Sequence, residues 1–182
     1  MSRRRMMLVA ALVAAAVPAG AASASAAGLG ARAFALDGGS LLTFDPAAPA
    51  AATATAITGV TATDTLAAVA VRPQNGELYA LGVNTAADAA QLYHLSARTG
   101  VATAIGSAAA FVLADGTTPV QISGADIGMA FNPAADRVRV VTSDGLNFRL
   151  NPNTGAAVDG NGGGTGINTD GPIGGATTGV GA

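Results

Sequence analysis

Cysteine and lysine are absent from this 182-residue chain, and histidine and glutamate occur once each. Without cysteine there is no disulfide, no thiolate nucleophile and no thiolate metal site. With His94 as the sole histidine, paired-His zinc spacing is impossible, and no G-x-S-x-G elbow occurs. Basic charge is scarce too: the formal net charge is −2, and all nine basic residues are arginine. Arg3, Arg4 and Arg5 fall at the extreme amino terminus, so the remainder is more acidic still. Such a surface cannot track a phosphate backbone, and nucleic acid is excluded as an expected partner. The missing lysine, beside abundant alanine and glycine, speaks of codon composition and not of function.

Long apolar runs are equally rare. The one present, Met6–Val17, has twelve residues, whereas a bilayer span needs roughly 20. It follows the arginine cluster and precedes small residues at Ala22–Ala26, the layout of an export signal cleaved near Ala26. Ser2-Arg3-Arg4 is a poor match to a twin-arginine signal, because Met6-Met7 follows. The expectation is residues 1–26 as signal peptide, an extracellular, periplasmic or cell-wall location, and no membrane span after cleavage.

What is present is repetition. AFALDGGSLLTFDP (Ala33–Pro46), LYALGVNTAADAAQLYHLSARTG (Leu78–Gly100) and VRVVTSDGLNFRLNPNTG (Val138–Gly155) each read as strand, polar turn, strand, turn. VAVRPQNGELYAL (Val69–Leu81) aligns with MAFNPAADRVRVV (Met129–Val141) over thirteen positions at an offset of sixty. Hairpin units of this kind bury their apolar faces only by stacking on one another. The spacing predicts strands at 31–36, 41–45, 53–57, 66–71, 78–83, 91–95, 101–105, 127–131, 137–142, 146–150 and 156–158. Four antiparallel strands per cycle is the unit of a β-propeller blade, and an ordinary β-sandwich meander is the alternative. Val69, Val71, Leu78, Ala80, Met129, Phe131, Val138 and Val140 are expected on equivalent buried faces of two adjacent sheets. Ser107–Asp126 is expected as an extra hairpin or flap. Residues 27–158 form the all-β repeat domain of about three blades. The Gly-rich residues 159–182 read as a mobile linker or tail. Because the first cycle starts at a second strand, the reading is an incomplete ring, the amino-terminal part of a longer protein, with exposed edges that favour aggregation.

LLTFDP (Leu41–Pro46), RPQNGELYALG (Arg72–Gly82) and GMAFNPAADRVRVVTSDGLNFRLNPNTGAAVDG (Gly128–Gly160) resemble a bacterial exported family known as domain-of-unknown-function family 4394. The resemblance implies a β-propeller-like repeat domain and carries over no catalytic residue.

Candidate chemistry is sparse. His94 alternates with neighbours on a predicted strand and reads as a sheet-face residue. Glu77, at the Asn75-Gly76 turn, lacks the facing carboxylate that glycosidase chemistry requires. Asp159, Asn161 and Asp170 stand at positions one, three and twelve of a run with glycine at six, the spacing of a calcium loop. Glycine at position five and the lack of flanking helices count against calcium. Arg139 and Arg149 are expected on one exposed face, meeting either a carboxylate ligand or turn aspartates such as Asp136 and Asp144. The expected function is a non-enzymatic scaffold for a protein or surface polymer, with no cofactor. The alternative is a propeller-type lactonase or esterase-like hydrolase with a central metal whose ligands come partly from further blades.

Overall fold

The computed structural model describes residues 32–122 and 126–171, and the expected signal peptide lies outside them. Among the described residues, eleven strands form three separate antiparallel sheets, more than the two of a sandwich. The first sheet joins β1 (Ala33–Asp37), β2 (Ser40–Phe44) and β3 (Thr53–Ala56). The second joins β4 (Thr65–Val71), β5 (Leu78–Asn84), β6 (Ala89–Leu95) and β7 (Ala102–Ala104). The third joins β8 (Ile127–Asn132), β9 (Arg137–Thr142), β10 (Asn147–Leu150) and β11 (Ala157–Val158). Each sheet is a meander in sequence order, as short polar turns between apolar runs require. The described residues contain no α-helix and no helix long and apolar enough to cross a membrane.

Strand β4 lies beside both β1 and β8, so the second sheet is sandwiched between its neighbours. Its two faces therefore feed two cores. Val69, Leu78, Ala80, Tyr93 and Leu95 pack with Leu41 of the first sheet. Ala68, Ala70, Tyr79, Leu81 and Leu92 pack with Met129, Val138, Val140, Phe148 and Leu150 of the third. Burial on both faces explains why β5 is buried at six successive residues while β9 alternates. The repeat register holds: Val69, Leu78 and Ala80 face the preceding sheet, and so do Met129, Val138 and Val140. Two members of the expected set differ. Val71 and Phe131 are only half-buried, because each is the last apolar position of a strand at its sheet's edge, while their cross-strand partners Leu78 and Val138 are buried.

The sheets are keyed together by glycine. Turns Ser96–Gly100 and Asn151–Gly155 each close with the glycine N–H donating to the first residue's carbonyl at 2.8 Å. Gly100 and Gly155 have φ of +72° and +70°, and a Cβ on them would sit 2.0 Å from the Ala56 carbonyl oxygen and 1.9 Å from that of Ile105. Ala56 ends β3 and Ile105 directly follows β7, so one junction is built twice.

Two segments depart from the plain strand meanders. Residues 107–122 form the expected extra hairpin: Ala90 and Ala109 exchange backbone bonds, and Leu113 and Val120 bond Thr118 and Phe111. Asp115 holds its turn by accepting bonds from the Thr118 hydroxyl and the N–H groups of Thr117 and Thr118. Those donors pull its carboxyl down to about 2. Phe111 and Ile122 enter the core from this hairpin. The Gly-rich segment, expected to be mobile from Asp159, is instead docked as far as Gly171. Val112 N–H donates to Ile167 O, Gly160 N–H to Asn168 O, and Asp170 N–H to Asn147 O, each at 2.9 Å. The buried Asn168 amide donates to the carbonyls of Val112, Leu113 and Thr165 at 3.0–3.1 Å. Backbone bonds and polar side chains, not apolar burial, hold this loop, so composition misread it.

Candidate functional site

Polar groups gather where strands end. Arg72 leaves β4 into the Asn75-Gly76 turn, and Pro73 stops the strand because it has no N–H to donate. Its buried guanidinium crosses to the next sheet and grips Asp136 with two bonds, Nε to Oδ1 at 2.9 Å and Nη2 to Oδ2. Nη1 donates to the Tyr79 hydroxyl at 3.2 Å. Asp136 stands at φ +47° in the β8–β9 turn, a conformation aspartate tolerates better than most residues. Beside it Gln74 Nε2 donates to the Pro133 carbonyl at 2.8 Å. The Arg72 bond holds the Asp136 carboxyl below its ordinary range, and the same bond raises Arg72 further.

That shift fixes a pH dependence. A depressed folded pKa means the contribution is present above the unfolded value, about 3.9, and is lost as pH falls through the lower folded value. Arg72→Met should therefore flatten the acid limb of a urea-stability profile below about pH 4. An acid limb as steep as the parent's would show that the pair does not brace the sheets.

The same cluster unites the only histidine and the only glutamate. Tyr79 and His94 are cross-strand partners with rings edge-on at 5.8 Å, and Phe131 meets Tyr79 edge-on at 5.3 Å. His94 Nε2 lies 3.6 Å from Glu77 Oε2, and Asn75 Nδ2 donates to that oxygen at 2.6 Å. Among the described residues no hydroxyl is hydrogen-bonded to His94, so the pair activates no nucleophile in this arrangement. The Glu77–His94 meeting was missed in the sequence. The signal was there: His94 pairs with Tyr79, two residues after Glu77.

Arg139 and Arg149 are direct cross-strand partners, a like-charge pair that costs stability unless an anion intervenes. The anion is Asp170 of the Gly-rich loop. Arg149 holds it with Nε and Nη2 at 2.7–2.9 Å, which raises the arginine pKa, and Arg139 Nη1 lies 3.4 Å away. Arg139 also donates to Asn147 Oδ1 at 2.6 Å. Asp136 and Asp144, the expected turn partners, are engaged by Arg72 and the Thr142 hydroxyl. Arg137 bonds the backbone oxygens of Ala135 and Asp136.

For the calcium spacing, the structure places Asp159 and Asp170 in one loop with different duties. Asp159 accepts N–H bonds from Asn168 at 3.0 Å and Asn161 at 3.1 Å, which lower its carboxyl pKa. Asn161 Oδ1 accepts from Gly163 N–H at 3.4 Å. With Asp170 bound to arginine, the three side chains act as loop braces. Among the described residues no cluster of three or more His, Asp or Glu side chains is placed to hold a metal.

Among the described residues, two of the concavities lie between the first and second sheets and beside the extra hairpin. A polar cleft of about 480 Å³ opens between the first sheet and the β6–β7 turn, lined by Arg32, Thr43, Phe44, Thr53, Thr55 and Arg98 among others. An apolar groove of about 470 Å³ runs between the β5–β6 turn, the extra hairpin and the Gly-rich loop, past Ala87, Phe111, Val112 and Ile167.

Among curated proteins no match is found. Of solved structures, a putative 6-phosphogluconolactonase from Bacteroides uniformis is similar at 14% identity and a TM-score of 0.34. The alignment covers 72% of this chain and 39% of that one. The model of the family described as Domain of unknown function (DUF4394) matches residues 40–182. That match spans most of the chain, all of the second and third sheets and most of the first, and the chain therefore belongs to the DUF4394 family.

Proposed function

We propose that this chain is an exported, propeller-like repeat scaffold that binds a protein or surface polymer, its three sheets being successive blades. The observation that carries the binding reading is how the polar side chains are divided. Arg72–Asp136 and Arg149–Asp170 brace sheets and loops, whereas the open concavities are bordered by residues from different sheets and turns. Loops displayed by a rigid β framework are suited to recognition. The blade reading is supported by the position of β4 between β1 and β8 and by the twice-built glycine junction.

The test sets binding against hydrolysis. The purified chain is passed over immobilised cell-surface polysaccharides and cell-wall material, and assayed on ester and lactone substrates with and without calcium. Retention without turnover is expected. Calcium-dependent turnover with no retention would replace the scaffold with the hydrolase alternative.

A further inference from the structure

We infer that the cleft between the first sheet and the β6–β7 turn is a binding site for a saccharide carrying an anionic group. This deepens the binding reading above and rests on it. The described residues include six arginines. Arg72, Arg137, Arg139 and Arg149 all bond to carboxylates or carbonyls of the chain itself. Arg32 and Arg98 have no carboxylate within 4.0 Å among the described residues, and both are exposed and line this one cleft. They come from opposite walls: Arg32 immediately precedes β1, and Arg98 sits in the turn that carries Gly100. Gly100 anchors that turn against Ala56, and its would-be Cβ lies 3.1 Å from the Thr55 methyl, so the Arg98 wall is positioned by the sheet junction.

The floor follows from strand register. Thr43 pairs with Thr53 and Leu41 with Thr55, so these four side chains share one face of the first sheet. At the Leu41 end that face is sealed by the second sheet's core. Towards Thr43 and Thr53 the threonine side chains border the cleft. Thr53 donates to the Thr43 carbonyl at 3.3 Å and keeps its acceptor lone pairs. Phe44, next in β2 after Thr43, borders the cleft from the strand end while its side chain alternates to the other face of the sheet. Asp45 also lines the cleft; its carboxylate accepts the Ala47 N–H at 2.8 Å and anchors the β2–β3 turn, leaving a net positive lining. Guanidinium groups recognise carboxylate or sulfate, and hydroxyls recognise hydroxyls. A volume of about 480 Å³ is within the size range of small-ligand sites. An acidic saccharide is the ligand class that uses both the paired guanidiniums and the threonine hydroxyls.

The test is calorimetric titration of the full chain with four probes: oligogalacturonate for carboxylate, sulfated dextran oligosaccharide for sulfate, neutral dextran and inorganic phosphate. One of the two acidic saccharides should bind, neutral dextran should not, and which acid binds identifies the anion. Arg32→Ala and Arg98→Ala should each weaken binding about tenfold or more, the loss typical of a charge-assisted bond. Thr53→Val should weaken saccharide binding while leaving any phosphate affinity unchanged, which separates a sugar site from a bare anion site. The unfolding temperature of the arginine variants should match the parent, since both side chains are exposed. Binding of neither acidic saccharide, equal binding of neutral dextran, or unchanged affinity in both arginine variants would each overturn the inference. Arginine variants that keep the parent's oligosaccharide affinity and stay retained on surface polymer would discard the cleft and keep the scaffold. A parent chain retained on nothing would discard both.

Discussion

Replacing Phe148 by alanine should destabilise the protein by about 3–5 kcal/mol, a large fraction of the roughly 5–15 kcal/mol available to a typical domain. Phe148 has no exposed surface, and its ring lies 4.8 Å from that of Phe111, tilted by 45°. It stands opposite Val140 on β9 and points into the core shared by the second and third sheets. Phe111 arrives from the extra hairpin, so the aromatic pair fastens that hairpin to the sheets. Truncation leaves a void whose walls belong to three elements with separate backbone restraints, and such a void collapses poorly. Urea unfolding should show the midpoint falling with little change in slope. A loss below about 1 kcal/mol would mean that the hairpin closes over the gap and that the core is softer than its burial implies. Phe131→Ala should cost less than Phe148→Ala, because Phe131 is half-buried at the end of β8.

The contrast between Phe131 and Phe148 shows what sequence patterning can and cannot locate. Alternation and turn residues placed every strand within a residue or two, because those signals are local. The offset of sixty between Val69 and Met129 placed equivalent faces correctly, because a repeat must bury the same positions each time. How deeply the last position of a strand is buried depends on the strand's place in its sheet: Val71 and Phe131 end edge strands and stay half-buried, while Leu78 and Val138 opposite them are buried. The Arg72–Asp136 brace joins residues 64 apart through turns of different sheets, beyond the reach of any local pattern. The Gly-rich loop shows the same limit from the other direction. Its composition lacks core-forming side chains, yet Asn168 and Asp170 are each held by groups far away in sequence. A cross-strand arginine pair could be predicted from β9 and β10, but the carboxylate between them could not. The Arg98 wall of the polar cleft was out of reach too, because it depends on the docking of the Gly100 turn.

That docking leads to the second large effect. Gly155→Ala should destabilise by several kcal/mol, whereas Gly76→Ala should cost only about 1–2 kcal/mol. The two glycines have nearly the same backbone conformation, φ of +70° and +71°, so the strain of placing an L side chain there is shared. Their surroundings differ completely. A Cβ at Gly76 meets nothing within 4 Å, while one at Gly155 would lie 1.9 Å from the Ile105 carbonyl oxygen and 3.0 Å from its carbon. A backbone carbonyl cannot rotate aside as a side chain can, so the clash must push the third sheet away from the second. Core contacts on both sides of that junction then loosen together. The difference between the two variants, measured by urea unfolding under one set of conditions, reads the inter-sheet contact with the conformational strain cancelled. Gly100→Ala should behave like Gly155→Ala, since its Cβ would lie 2.0 Å from the Ala56 carbonyl oxygen. It should also displace the Arg98 turn, so its acidic-saccharide affinity should fall while that of Gly76→Ala does not. Equal costs at Gly76 and Gly155 would mean that the sheets can shift apart freely, and the close stacking that defines this architecture would not be what holds it.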